Sequence, residues 1–256
     1  MSKKPFVLLT NDDGIFAEGL YQLFLAIREV ADVAVVAPDS EKSAVGHAIT
    51  IADPLRVTRF HRDGEFFGYA VNGTPADCVK LAFYALLDRK PDAVISGINL
   101  GSNTGINVIY SGTVSAATEA NILGLPSFAI SLATFTDPIF KPAANFAARL
   151  LPMILEHPLP NRTFLNVNVP NVPEEEIRGV RITRQGMAMF DDSYEVRRDP
   201  RNRVYYWLTG SKVDLDTDPD VDDAAVMQNY ISVTPLHYDL TNYRCIDDLR
   251  KWDIAL

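Results

Sequence analysis

The sequence predicts an α/β protein: a doubly wound, mostly parallel sheet with β-hairpin extensions in its carboxyl-terminal part. Three observations predict it. Short continuous apolar runs alternate with amphipathic helical stretches over the first 170 residues. Polar loops follow several of those runs at their carboxyl ends. Beyond Pro170 the alternation gives way to a β-rich, more charged chain.

Taken in order, Phe6–Thr10 is an unbroken apolar run, as expected of a strand buried on both faces of a parallel sheet. Gly19 to Val30 reads as a helix with Leu20, Leu23, Phe24 and Ile27 on one stripe. Asp32 to Ala37 is a second buried strand, closed by Pro38. Leu55–Phe60 and Phe66–Val71 flank His61–Glu65 and predict a hairpin. Thr74-Pro75 opens a helix, a hydroxyl cap followed by proline at the first helical position, running to about Leu87. Ala93–Ser96, Ser127–Leu132 and Thr163–Val169 are strands, and Thr113–Leu123 and Pro142–Glu156 are helices. Further on, Tyr194–Arg198 and Arg203–Leu208 flank Asp199–Asn202 as a second hairpin. An acidic stretch, Asp214 to Asp223, follows, and Tyr230–Val233 is a final strand. The expected organisation is a core over residues 1–170, with a hairpin at about 50–71, and an extension over 171–256 that returns to the core. Long hairpins leaving an α/β core need their edges covered, so the extension is expected to build an oligomer interface.

Composition bounds the function. The 256 residues are 47% hydrophobic, ordinary for a globular protein, and carry a net charge of −9. That balance speaks against a nucleic-acid-binding protein, which presents a basic face, and no stable nucleic-acid partner is expected. It leaves room for a small phosphorylated substrate, since a bound cation reverses the local field. Cys78 and Cys245 make neither a metal-ligand spacing nor a disulfide framework. The amino terminus has too short an apolar run for a secretory signal, and no stretch approaches a membrane span. The expectation is a cytoplasmic protein without membrane association.

Ligands of open α/β sheets bind outside the carboxyl ends of the strands, which makes four loops informative. They are Asn11–Gly14, Asp39–Ser43, Asn72–Pro75 and Ser96–Asn103. Adjacent carboxylates Asp12 and Asp13 repel one another at the end of a buried strand, and a turn at Gly14 can aim both at one hard cation such as Mg2+ or Mn2+. The competing reading is a helix cap beside a solvated carboxylate. Ser43 and Asn99 offer neutral oxygens that complete a metal sphere without repelling a phosphate dianion. Tyr110-Ser111-Gly112-Thr113-Val114 opens a helix, and its backbone N–H groups with two hydroxyls read either as an anion pocket or as a plain cap. The glycine-rich run Gly97–Gly105, including Asn103, is suited to close approach to a ligand. No P-loop, no dinucleotide-binding glycine pattern and no nucleophile elbow is present. His47, four residues beyond Ser43, and His237, after the last strand, are candidate proton carriers competing with structural roles. Phe16, Tyr69 and Tyr110 stand near the loops as candidates for stacking on a base.

These motifs resemble the SurE survival-protein family of 5′/3′-nucleotidases. The resemblance rests on Leu9–Gly14, Ala37-Pro38-Asp39 with Ser43, Val71–Asp77, Ser96–Gly101, Tyr110–Val114 and Ser232–Leu236, in order along nearly the whole chain. It implies a Rossmann-like fold and a metal-dependent phosphomonoesterase acting on nucleoside 5′- and 3′-monophosphates, with short polyphosphate as a further substrate. It implies one divalent cation per subunit, Mg2+ or Mn2+, on Asp12, Asp13, Ser43 and Asn99. Asp12, Asp13 and Asn99 are then the catalytic candidates, and Asn103, Ser111, Gly112 and Thr113 the phosphate-binding ones. Carboxyl-terminal β extensions interlocked in a homodimer or homotetramer are also implied. A non-catalytic nucleotide- or metal-binding regulator using the same cleft is the alternative, and phosphate release separates the two.

Overall fold

A computed structural model describes residues 4–213, 218–252 and 254. The first half builds β1 (Phe6–Thr10), α1 (Glu18–Ile27), β2 (Asp32–Pro38), β3 (Val57–Arg62), β4 (Glu65–Val71), α2 (Pro75–Leu81), β5 (Ala93–Leu100), α3 (Gly112–Ile122) and β6 (Ser127–Leu132). Then come α4 (Phe140–Glu156), β7 (Thr163–Val169), β8 (Gly179–Ile182), β9 (Met189–Arg198), β10 (Val204–Val213), α5 (Asp222–Met227), β11 (Tyr230–His237) and α6 (Tyr243–Leu249). Among the described residues, nine strands form one sheet in the order β3-β4-β2-β1-β5-β6-β7-β11-β8, while β9 and β10 pair only with each other.

The apolar runs dictate this layering. In β1, Val7 and Leu9 join a core packed under α1 and α4, while Leu8 faces a second core under α2 and α3. Successive side chains of a strand point to opposite faces, so a run without polar alternation needs cover on both sides. On α1 three residues of the expected stripe, Leu20, Leu23 and Ile27, are fully buried, while the fourth, Phe24, is half-buried against the same core. Strands β2, β1, β5, β6 and β7 pair in parallel, and β4 continues the parallel pairing beyond β2. The doubly wound α/β class and the projecting carboxyl-terminal hairpin both stand.

Several boundaries differ from expectation. The first helix ends at Ile27, because Arg28 onward turns toward β2. The strand expected to stop at Ser96 runs to Leu100 through a register shift between Ser96 and Asn99. At Gly97 a Cβ would lie 2.3 Å from the Ile130 carbonyl oxygen, so the irregularity requires glycine. After Leu81 the second helix widens into a π turn over Ala82–Leu86. The last strand continues past Thr234-Pro235 to His237, antiparallel to β7 and parallel to β8. Its pairing with β8 ends at Val233, and a proline is tolerated where its nitrogen faces an open edge. Strand β8 and helices α5 and α6 had no counterpart in the sequence reading. Of the acidic stretch, residues 214–217 lie outside the described residues, whereas Asp222 and Asp223 are buried at the start of α5.

Candidate active site

The sheet order reverses between β1 and β5: from β1 the chain winds outward through β2, then returns across to β5 on the other side. That switch point leaves a crevice at the carboxyl ends of β1 and β5, where α/β sheets bind ligands. Asp12 and Asp13 follow β1, and Asn99 lies near the end of β5.

The turn after β1 is held by backbone demands. Asn11 Nδ2 donates to the Gly14 carbonyl at 2.9 Å, and Lys42 N–H donates to the Asp12 carbonyl at 2.7 Å, tying the loop after β2 to the site. Asp12 is buried, and its Oδ1 accepts a short hydrogen bond from the Thr113 hydroxyl at the start of α3. The approach is close enough that a Cβ on Gly112 would sit 2.8 Å from Asp12 Cβ. Asp13 lines an open cleft of about 600 Å³ together with Glu41, Ser43 and Leu100, and its Oδ2 lies 3.4 Å from the Leu100 N–H.

Burial pushes the Asp12 carboxyl above its ordinary range, against the Thr113 hydrogen bond that favours the anion. Burial, and then the Asp12 charge, push Asp13 up to about 7. Glu41 adds to the negative field at both. Two desolvated carboxylates facing a third acid, with no ion pair to either among the described residues, form a site short of positive charge. Asn99 supplies a matching oxygen. Its Nδ2 is spent on the carbonyls of Leu100 and Gly101, at 3.1 and 2.6 Å, which leaves Oδ1 as an acceptor. Ser43 lines the same cleft, its hydroxyl donating to Glu41 Oε1 at 2.7 Å. Among the described residues no three or more His, Cys, Asp or Glu side chains form a metal cluster. Two carboxylates with neutral oxygens near by are a chemistry that would fit a hard divalent cation.

The start of α3 is committed differently from a free anion pocket. Ser111 is the cap, its Oγ accepting from Val114 N–H at 3.1 Å, and Thr113 Oγ1 serves Asp12. Ser111 Oγ keeps its own proton to donate. Asn103 is drawn toward β6 and β7: its Nδ2 donates to Ser131 Oγ at 2.9 Å and its N–H to Asn168 Oδ1 at 2.7 Å. The histidines are not in the cleft wall. His47 Nε2 is 2.8 Å from Glu119 Oε2, and Glu119 lies six residues beyond Thr113, about 9 Å along the helix axis. His237 pairs with Thr163 at the amino-terminal end of β7, the opposite edge of the sheet from Asp12. The antiparallel direction of β11, invisible in sequence, puts it there. Phe16 packs edge-on to Phe60, and Tyr69 packs on Phe66. Two aromatic residues line the cleft, Phe135 and the buried Phe140; the exposed one, Phe135, was missed in sequence because it follows β6 in an otherwise ordinary loop.

The whole chain can be compared with known proteins. The family profile described as Survival protein SurE matches residues 7–192. The chain is similar to a 5′-nucleotidase SurE of Syntrophobacter fumaroxidans, 54% identical over 248 residues covering 97% of this chain and 99% of the relative. It is similar to a 5′-nucleotidase SurE of Carboxydothermus hydrogenoformans, 51% identical and covering 98% and 97%. Among solved structures it resembles the SurE protein from Aquifex aeolicus, with a TM-score of 0.83, 40% identity, and coverage of 96% of this chain and 98% of that one. Among the described residues no helix is long and apolar enough to cross a membrane.

Proposed function

Because this chain belongs to the SurE survival-protein family, we propose that it is a nucleotidase, a metal-dependent phosphomonoesterase that releases phosphate from nucleoside 5′- and 3′-monophosphates and trims short polyphosphate. The observation that carries this reading is the Asp12–Asp13 pair, desolvated, with no basic partner among the described residues, at the switch point of the sheet. The relatives named above are 5′-nucleotidases, which supports the substrate class.

Asp12, Asp13, Ser43 and Asn99 are the residues that would hold one Mg2+ or Mn2+ per subunit. When bound, such a cation supplies Lewis acidity toward a phosphoryl oxygen and a nucleophile at neutral pH. The chain's own residues do the positioning. Thr113 fixes the Asp12 carboxylate, and Gly112 lets α3 approach it without a side chain between them. The positive end of the α3 dipole and the Ser111 hydroxyl proton lie at the same edge, where they favour the phosphate anion without reorganising. The amide of Asn99 is pinned through its Nδ2 by two backbone carbonyls, which limits its rotamer freedom and leaves its oxygen as an acceptor.

Phosphate release from a panel of nucleoside monophosphates and polyphosphate, with Mg2+ or Mn2+ and with EDTA, tests the reading. Turnover is expected only with the metal, and Asp12→Asn and Asp13→Asn are each expected to lower it by about 10²-fold or more. Binding of nucleoside monophosphates without phosphate release would favour a regulator using the same cleft.

A further inference from the structure

The cleft beside Asp13 is larger than a phosphate needs, and most of its remaining wall is apolar: Leu100, Phe135, Pro138 and Phe140. Phe135 is 75% exposed, yet its ring is not loose on the surface. It lies against the Cα of Gly101, where a Cβ would meet ring carbons at 2.4 and 2.6 Å. Gly101 has a φ of +97° and its N–H donates to the Leu132 carbonyl at 2.9 Å, so the ring's support is fixed to the ends of β5 and β6. That loop begins two residues past Asn99. The result is an exposed aromatic plane in the same cleft wall as Asp13, backed by glycine.

We infer that this wall is the nucleobase subsite, with Phe135 as the stacking platform that seats the base of a nucleoside monophosphate whose phosphate lies at Asp12 and Asp13. The inference rests on the nucleotidase reading and adds to it what holds the leaving nucleoside. A cleft of about 600 Å³ accommodates a nucleoside beside its phosphate. Apart from Asp13, the polar side chains in the wall are Glu18, Glu41 and Ser43, and each is already engaged. Glu18 accepts from Gln22 and Arg62, and Glu41 accepts from Ser43. Few groups remain to read base edges, so recognition is by the π face, which every base presents. Base tolerance is broad, with purines favoured over pyrimidines for their larger stacking area. The acidic lining also disfavours a polyanion in this part of the cleft, so polyphosphate would enter from another side.

The test compares adenosine 5′-monophosphate with ribose 5-phosphate, a phosphomonoester without a base, in the full-length protein with its metal. Phe135→Ala is expected to lower the ratio of kcat/KM for the nucleotide over that for the sugar phosphate by about fivefold or more, through KM. Phe135→Tyr is expected to retain the wild-type ratio. In Phe135→Trp, the added fluorescence is expected to be quenched by adenosine 5′-monophosphate and not by ribose 5-phosphate. An unchanged ratio in Phe135→Ala, or absence of that quench, overturns the subsite. If the wild type releases no phosphate from any substrate, the nucleotidase reading fails, and the quench titration alone then decides whether the base binds here.

Discussion

Gly112 is the smallest residue of the site and one of its most constrained. A methyl group there would press 2.8 Å from Asp12 Cβ, 3.1 Å from its Oδ2 and 3.2 Å from the Lys42 carbonyl oxygen. Gly112→Ala is therefore expected to leave the fold intact by circular dichroism while displacing Asp12, lowering phosphate release by about 10²-fold, as misplacements near 1 Å do. The repelling carboxylates supply a second outcome. Saturating Mg2+ or Mn2+ at about 100 times its Kd is expected to add about 2.7 kcal/mol and raise the melting temperature by about 5–10 °C. Asp13→Asn is expected to remove that shift, and an equal shift in the variant would sink the ligand assignment. Much of this was legible in sequence, since adjacent acids after a buried strand demand a counter-charge. Thr113 was legible only as a helix opener. Its bond to Asp12 joins residues 101 positions apart and depends on where α3 lies on the sheet.

Helices α2 and α3 are joined by one buried acid. Glu119 accepts from His47 at 2.8 Å and from Lys80 at 2.8 Å, linking the loop after β2, α2 and α3. Burial raises the Glu119 carboxyl, but the hydrogen bonds from His47 and Lys80 outweigh it and hold the group below the ordinary glutamate value. The folded state thus binds fewer protons than the unfolded one in the acid range. The stabilisation is present above about pH 4.3, the unfolded value, and is lost as pH falls through the lower folded value. Glu119→Ala is expected to cost about 1–3 kcal/mol in urea unfolding at pH 7, with the gap from wild type narrowing below about pH 4. A constant gap across that range would count against the assignment. The start of α2 was readable because Thr74-Pro75 carries its own mechanism, and the structure completes it as a capping box with Asp77. Strand β8 and helix α5, four and six residues long, were not readable. Segments that short show no periodicity, and their stability comes from β11 and the Gly105 loop rather than from local pattern.

At the scale of the molecule, the hairpin β9–β10 is the part the core does not explain. Among the described residues it pairs with no other strand, and it exposes Tyr194, Val196, Tyr206, Trp207 and Leu208. An exposed apolar ribbon of this kind marks an association surface. We propose that it joins copies of this chain into a homodimer or homotetramer. Light scattering at micromolar concentration is expected to give a multiple of the 28.4 kDa chain, with Trp207→Glu combined with Leu208→Glu giving a monomer. A monomeric wild type would end this proposal. The hairpin itself was legible from its turn residues, but its length was not, since the acidic and basic residues on its strands break the apolar pattern.

The root of that hairpin is bolted to the loop leading into α3. The Ala188 carbonyl accepts from Ile106 N–H at 2.9 Å, Gln185 donates to the Gly105 carbonyl at 2.7 Å, and Asp222 accepts from Gly105 N–H at 2.9 Å. Five residues past Ile106 stands Ser111, and two past that Thr113. Mechanically the arm is a lever whose fulcrum is Gly105 and whose short end is the helix start gripping Asp12. In the proposed oligomer, a load on the long end would act on Gly105 and Ile106, eight and seven residues along the chain from the Thr113 hydroxyl that holds Asp12.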